Sequence, residues 1–262
     1  MRDRCQRWRN CRDAYRPAGE PIDPRRYEVA PLDELPAREF VETHHYSRTY
    51  PAARWRFGLH RGGQLVGVAV FSHPQQDRAL TNVFGGKAVE SVELGRFVLL
   101  DDVPANGETW FLGQCFRELR GEGLRGVLAF SDPLPRRTSG GSVVLPGHVG
   151  TIYQAFNGRY LGRGTSRTLR LTDEGTALSP RMLQKARGRG QGWAYAVRRL
   201  VELGAEPPAA GDCPKTWVRQ WVAELTRPIR HKGNHRYAWS FHKSIGRDWP
   251  ELPYPKTIDQ PA

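Results

Sequence analysis

The chain has 262 residues, with 40 lysines and arginines against 27 acids for a formal charge of +13, and 39% hydrophobic residues. That length and apolar content suffice for a buried core. No apolar run approaches the ~20 residues of a membrane span, and the basic first stretch lacks the apolar segment of a secretory signal. Membrane and secreted classes are therefore set aside, and a cytoplasmic location is expected. Most of the cations are arginines, whose planar fork matches phosphate. The charge points to nucleic acid as partner; a homodimer is left open. The four cysteines, Cys5, Cys11, Cys115 and Cys213, are scattered, which fits a reducing compartment. A Cys5/Cys11 metal site lacks a second pair.

In chain order, residues 1–26 read as a poorly ordered basic arm. Tyr27–Ala30 reads as a short strand and Leu32–Thr43 as a helix with early acids. Trp55–Leu59 and Leu65–Phe71 flank Arg61-Gly62-Gly63 as a hairpin. Ser91–Leu100 reads as a strand. A helix capped by Asn106 or Thr109 carries Phe111, Leu112, Cys115, Phe116 and Leu119 at helical period and stops at Gly121 or Gly123. Gly126–Phe130 is the next strand, Thr151–Phe156 a short helix, and Tyr160–Leu171 one further strand. This alternation predicts an α/β fold around a mixed sheet. At Ser179-Pro180, a good cap and first turn, the composition changes. Arg181–Val201 holds no acid but carries Arg181, Lys185, Arg187, Arg189, Arg198 and Arg199. Two helical pieces joined by Gly188–Gly192 and a third at Trp217–Leu225 are expected, with Trp193 and Tyr195 in their core. A strand-like HRYAWSFHK and a Pro-rich tail close the chain. The expected division is 1–26 arm, 27–178 catalytic domain, 179–226 basic helical insertion, and 227–262 returning strand and tail.

The site expectation centres on Asp132, an acid at the carboxyl end of the apolar Val127–Phe130 run, where open α/β sheets place chemistry. A Gly-rich entry then leads to Tyr153, Gln154 and Asn157. His44-His45-Tyr46-Ser47 is a second polar cluster with no evident structural task. Asp132 and His45 supply carboxylate and imidazole, donors suited to ferrous iron, with His148, His44 or Tyr46 completing a site; Asp132 reads equally as a loop cap before Pro133. Arg96 falls on a strand pattern, where a buried charge needs a partner: either Glu93 or an anionic substrate. Tyr153 suits hydrogen bonding or stacking on an extruded base, or is a half-buried helix aromatic. Glu93 is a general base if buried. Arg181, Lys185, Arg187 and Arg189 suit phosphate contact, and Arg136 and Arg137 in the long loop suit a grip beside a target base.

The motifs HHYSRTYP, FGLHRGGQLVGVAVF, ELGRFVLLDDVPANGETWFL, AFSDP, GHVGTIYQAFNGRYLG and GNHRYAW, in this order, resemble the Mom family of phage DNA-modification proteins, and the layout resembles the GNAT acyltransferase fold. The resemblance covers about Glu42 to Phe241. It implies a GNAT-like α/β domain with a basic helical insertion, acting on adenine in double-stranded DNA to give an N6-acetamido (methylcarbamoyl) base that protects phage DNA from restriction. It implies an iron ion (Fe2+) and acetyl-CoA or another acyl or glycyl donor. The family's His-Tyr pair falls on His45-Tyr46, its sheet arginine on Arg96, its strand-end acid on Asp132 and its tyrosine on Tyr153; His45 and Asp132 are the implied metal ligands. The CoA pyrophosphate loop of GNAT enzymes corresponds to Glu118-Leu119-Arg120-Gly121-Glu122-Gly123, which begins with an acid. The rival readings are an ordinary N-acetyltransferase for a small amine or protein, and a DNA-binding protein whose catalytic site has lapsed.

Overall fold

The computed structural model describes residues 4–9, 12–17 and 20–260. Strands β1 (Arg4–Arg9) and β2 (Arg12–Pro17) pair antiparallel within the stretch read as an unordered arm. The expected elements then follow, β3 (Tyr27–Pro31), α1 (Glu34–His44), β4 (Ala53–Arg61), β5 (Gln64–Ser72), β6 (Val92–Leu99), α3 (Gly107–Gly121) and β7 (Gly126–Ser131), with one helix that was not expected, α2 (Arg78–Phe84), between β5 and β6. After β8 (Arg136–Arg137) and β9 (Val143–Leu145) come α4 (Thr151–Ala155), β10 (Arg159–Arg163) and β11 (Arg167–Leu171). Helices α5 (Pro180–Gly188), α6 (Trp193–Glu202) and α7 (Pro214–Leu225) precede β12 (Arg227–His231) and β13 (His235–Ser240).

The chain forms two compact units. The first comprises residues 1–133, 148–164 and 234–257. Its seven-stranded sheet runs β10-β13-β7-β6-β5-β4-β3, antiparallel except for β6 and β7. That one parallel pair follows from α3, which carries the chain back over the sheet between them. The helical stripe read from the sequence is the face α3 buries: Phe111, Leu112, Cys115, Phe116 and Leu119 pack on Phe71, Leu94, Val127 and Ala129. Phe116 is the hub, with Phe71, Phe156, Trp239 and Phe241 edge-on around it. On a second cluster α1 sets Ala37, Phe40 and Val41 against Val68 and Val70, the alternate residues of β5.

The second unit comprises residues 134–147, 165–233 and 258–262. Helices α5, α6 and α7 share a core of Met182, Leu183, Leu200, Trp217, Val218 and Val222. Ser179 caps α5 by accepting from the Met182 backbone N–H at 3.4 Å, as its Ser-Pro start predicts. Trp193 packs beside Trp217, but Tyr195 is 60% exposed; it lies outside the core stripe of α6, which runs through Ala196 and Leu200. The expected single strand at Tyr160–Leu171 is two strands. Gly164 ends the first, and the pieces belong to different units: β10 pairs with β13, while β11 pairs with β12. Among the described residues, no helix is long and apolar enough to cross a membrane.

Candidate active site at the end of the sheet

Strand β6 is irregular between Leu94 and Arg96. Glu93 pairs with Ser72 and Leu94 with Phe71, but Arg96, not Gly95, pairs with Val70. The extra residue shifts the alternation by one, so Glu93 and Arg96 share one face, the face on which α1 packs. Gly95 is required here, because a Cβ would strike the Ser72 hydroxyl. The β6–β7 ladder covers only Val92–Leu94 opposite Val127–Ala129. Beyond it the two strands are no longer paired.

His45 ends α1, its backbone N–H bonded to the Val41 carbonyl at 2.9 Å. Its side chain is buried, and Nδ1 accepts from the Ser47 N–H at 3.1 Å and lies 2.8 Å from Ser47 Oγ. Burial, then the positive Arg96, then His148, push its pKa down to about 3; it is a neutral imidazole at physiological pH. The Tyr46 ring stacks against it at 4.2 Å, and the Tyr46 hydroxyl lies 3.2 Å from His148 Nε2. His148 is tied to the strand end through its N–H, which donates to the Asp132 carbonyl at 2.8 Å. Burial lowers His148 to about 4, against the opposing pull of Asp132.

Arg96 was expected to pair with Glu93 or a substrate anion. It donates to the Thr49 carbonyl at 2.8 Å, to Thr49 Oγ1 at 2.7 Å and to the Gly95 carbonyl. Burial lowers its pKa, while Tyr46, Glu93 and Tyr153 support its charge. Glu93 is the poised group. Burial raises it to about 7 against the attraction of Arg96 and His73, so it exchanges a proton near neutrality. Tyr153, on α4, packs against Tyr237 and Trp239 with ring centroids 5.5 and 5.9 Å away. Burial raises its pKa, and it stays a neutral donor. Gly150 makes this approach feasible: at φ +76° it precedes α4, and a Cβ there would meet Tyr237 at 2.7 Å and Tyr153 at 2.8 Å.

His45, Tyr46, Arg96 and Tyr153 are thus electrostatically coupled residues of the first unit, with Asp132 beside His148. The sequence underrated Glu93 and His148. The signal for Glu93 was an acid three residues before Arg96 within one strand pattern; for His148 it was a histidine set between Gly147 and Gly150. The remaining expected residues, Arg136, Arg137, Arg181, Lys185, Arg187 and Arg189, belong to the second unit. Arg181, Lys185 and Arg187 are exposed on α5. Arg189 donates to the Asp212 carbonyl at 2.9 Å and lies over Trp193. Arg137 donates to the Gly141 carbonyl within its own hairpin. Arg199, at the end of the acid-free stretch, is held by Glu202 at 2.9 Å.

Among the described residues no three of His, Cys, Asp and Glu group as a metal site; His45 engages only Nδ1, with Ser47, and His148 only Nε2, with Tyr46, so each keeps one ring nitrogen that could hold the implied iron. Cys115 is buried and Cys213 exposed as free thiols; the Cys5/Cys11 pairing lies outside the described side chains. The CoA expectation is corrected in its detail. Glu118–Gly121 is the last turn of α3, not the start of a helix. Carbonyls and a negative dipole end face outward there, which disfavours a pyrophosphate. The true entry to α3 carries Asp101, Asp102 and Glu108, also unsuited to anions.

Fold and site define an α/β protein built on a mixed sheet, with a cluster of carboxyl, imidazole and guanidinium groups whose proton affinities burial shifts, near its one parallel strand pair. Residues 26–256 match the Mom protein family, and the chain belongs to that family. A search of curated proteins finds no match. Among solved structures, the chain is similar to an N-acetyltransferase from Staphylococcus aureus Mu50, at 10% identity over 82% of this chain and 99% of that one, with a TM-score of 0.37. It is also similar to a GNAT family acetyltransferase from Brucella melitensis in complex with acetyl-CoA, at 16% identity over 39% and 74%, with a TM-score of 0.30. Likeness at this level carries no argument about activity.

Proposed function

We propose that this chain is a transferase that modifies adenine in double-stranded DNA to the N6-acetamido form, with protection from restriction as the benefit. The carrying observation is that His45, Tyr46 and Tyr153, positions implied by the Mom resemblance, are each coupled to Arg96, a fourth such position, which also attracts Glu93, a carboxyl held near pKa 7. An exocyclic amine is a weak nucleophile that sheds a proton as it forms a new bond to carbon. Glu93 takes that proton from N6 as the N–C bond forms and the donor's leaving group departs. Arg96, fixed by Thr49, steadies charge developing on the donor. Tyr46 and Tyr153 offer ring faces and neutral hydroxyls to a base taken out of the stack. The parting of β6 and β7 after Leu94 and Ala129 leaves room for an extended donor. An acyl-CoA would have to hold its pyrophosphate outside the Glu118–Gly123 turn.

The +13 charge supports DNA as substrate. The test is nucleoside mass analysis of plasmid from expressing cells. A modified deoxyadenosine heavier by the acetamido group is expected. Unmodified nucleosides alongside abundant folded protein overturn the reading, and an acetylated small amine or protein in their place supports the ordinary N-acetyltransferase.

A further inference from the structure

The acid-free helical stretch was the DNA face suggested by the sequence, but the fold assembles a second one that the sequence hides. Arg159–Leu171 and Arg227–Arg236 lie far apart in the chain, and neither contains an aspartate or glutamate. Their inner parts pair as the two-stranded ribbon β11–β12, with Thr168 opposite Arg230, Leu169 opposite Ile229 and Arg170 opposite Pro228. Alternation gives this ribbon two unlike faces. Leu169 and Leu171, with Ile229 against them, form a small core with Leu134 and Ala177. Thr168, Arg170, Pro228 and Arg230 make the other face.

That outer face carries cations without matching anions. Thr168, Pro228 and Arg230 are exposed and Arg170 is half-exposed. Among the described residues, Arg230 is held only by Ser166 Oγ at 3.0 Å, and no ion pair joins Arg170 or Arg230 to an acid. Lys232 extends the positive edge just past the ribbon. A soluble ribbon usually intersperses charges of both signs; this one does not. Pro228 lacks an N–H and prevents another strand from adding there, which disfavours a protein strand as occupant. A two-stranded ribbon is also of a width that a DNA major groove admits, and phosphate neutralisation requires cations on a rigid support.

We propose that the outer face of the β11–β12 ribbon, through Arg170 and Arg230, is a phosphate-contacting docking surface for duplex DNA, separate from the α5–α6 arginines. The inference rests on the DNA reading above. The measurement is duplex binding by the full chain across a salt series, for wild type, Arg170→Gln/Arg230→Gln and Arg170→Lys/Arg230→Lys, with thermal melting of each.

Wild type is expected to bind duplex DNA with a strong salt dependence. The glutamine pair should flatten the slope of log K against log[salt] by about 1.8, or 0.9 per contact, equally on unrelated sequences. The lysine pair, which keeps the charge, should restore it and guards against misfolding. A glutamine pair with wild-type slope and wild-type melting overturns the ribbon proposal while leaving the DNA reading intact. A wild type that shows no salt-dependent duplex binding, or that prefers duplex RNA, overturns both.

Discussion

The two units make opposite use of charge. The first buries a few ionisable groups and thereby changes their proton affinities: Glu93 rises to about 7, while His45 and His148 fall to about 3 and 4. The second leaves many arginines at its surface, where a charge contributes little to stability. The lesson concerns what each arrangement does. Burial makes a group reactive at the expense of stability, whereas exposed cations offer long-range attraction and little else. Substitutions in the first unit should therefore change stability and chemistry together. Those on the basic surface of the second should change binding alone.

The largest effect is expected at the packing beneath the site. Phe116→Ala removes the ring on which Phe71, Phe156, Trp239 and Phe241 converge, and should cost about 3–5 kcal/mol in chemical denaturation. A loss below ~1 kcal/mol would mean that this cluster does not support the sheet.

Next is Arg96→Lys. It keeps the charge but loses the planar fork that grips both the Thr49 carbonyl and hydroxyl. DNA modification should fall about 100-fold, and melting should fall with it as the hydrogen bonds to Thr49 are lost. Activity within a factor of two of wild type would show that charge alone suffices there.

The buried titrations give a test of sign. Glu93 holds its proton more tightly folded than unfolded, so its contribution to stability falls as pH rises from about 4.5 to about 7. Glu93→Gln removes that penalty and should stabilise the protein by roughly 2 kcal/mol at pH 8, but not at pH 4. His45 and His148 work the other way. Their contribution is intact above about 6.5 and is lost as pH falls toward 3 or 4, because the unfolded chain takes up those protons first. Melting of wild type and Glu93→Gln across pH 4–8 checks both. A constant difference between the two would contradict the buried carboxyl.

The smallest effect on the fold, and the sharpest contrast, is expected from Arg187→Gln/Arg189→Gln. Melting should be unchanged within ~0.5 kcal/mol, while the salt slope of duplex binding flattens by roughly two. An unchanged slope would place the phosphate contacts elsewhere in the second unit.

Much of the fold was legible because its signals are local. The stripe of α3, the Gly62-Gly63 turn of the hairpin and the Ser179-Pro180 cap each lie within a few residues. Asp132 was legible as the first acid after an apolar strand. The rest depended on long-range pairing. Nothing in Tyr160–Leu171 itself shows that its two halves join different sheets; that depends on β12 and β13, more than fifty residues away. The Gly95 irregularity, which turns Arg96 onto the face of Glu93, emerges only from the register with β5. Glu93 itself resembled a structural partner for Arg96, and nothing near it showed that Thr49, nearly fifty residues upstream, also holds that guanidinium. Tyr195 was misplaced because an aromatic in a helix next to Trp193 suggests a core, whereas the buried stripe of α6 passes through Ala196 and Leu200.

The account stands most directly on Glu93 as the group that takes the proton from the adenine amine. The measurement is nucleoside mass analysis of plasmid from cells expressing wild type or Glu93→Gln at equal soluble levels, with duplex binding measured on the purified proteins. The account predicts modified deoxyadenosine from wild type, a loss of about 100- to 10,000-fold in the variant, and the same duplex affinity and salt slope for both. Modified deoxyadenosine at wild-type levels from Glu93→Gln would contradict it.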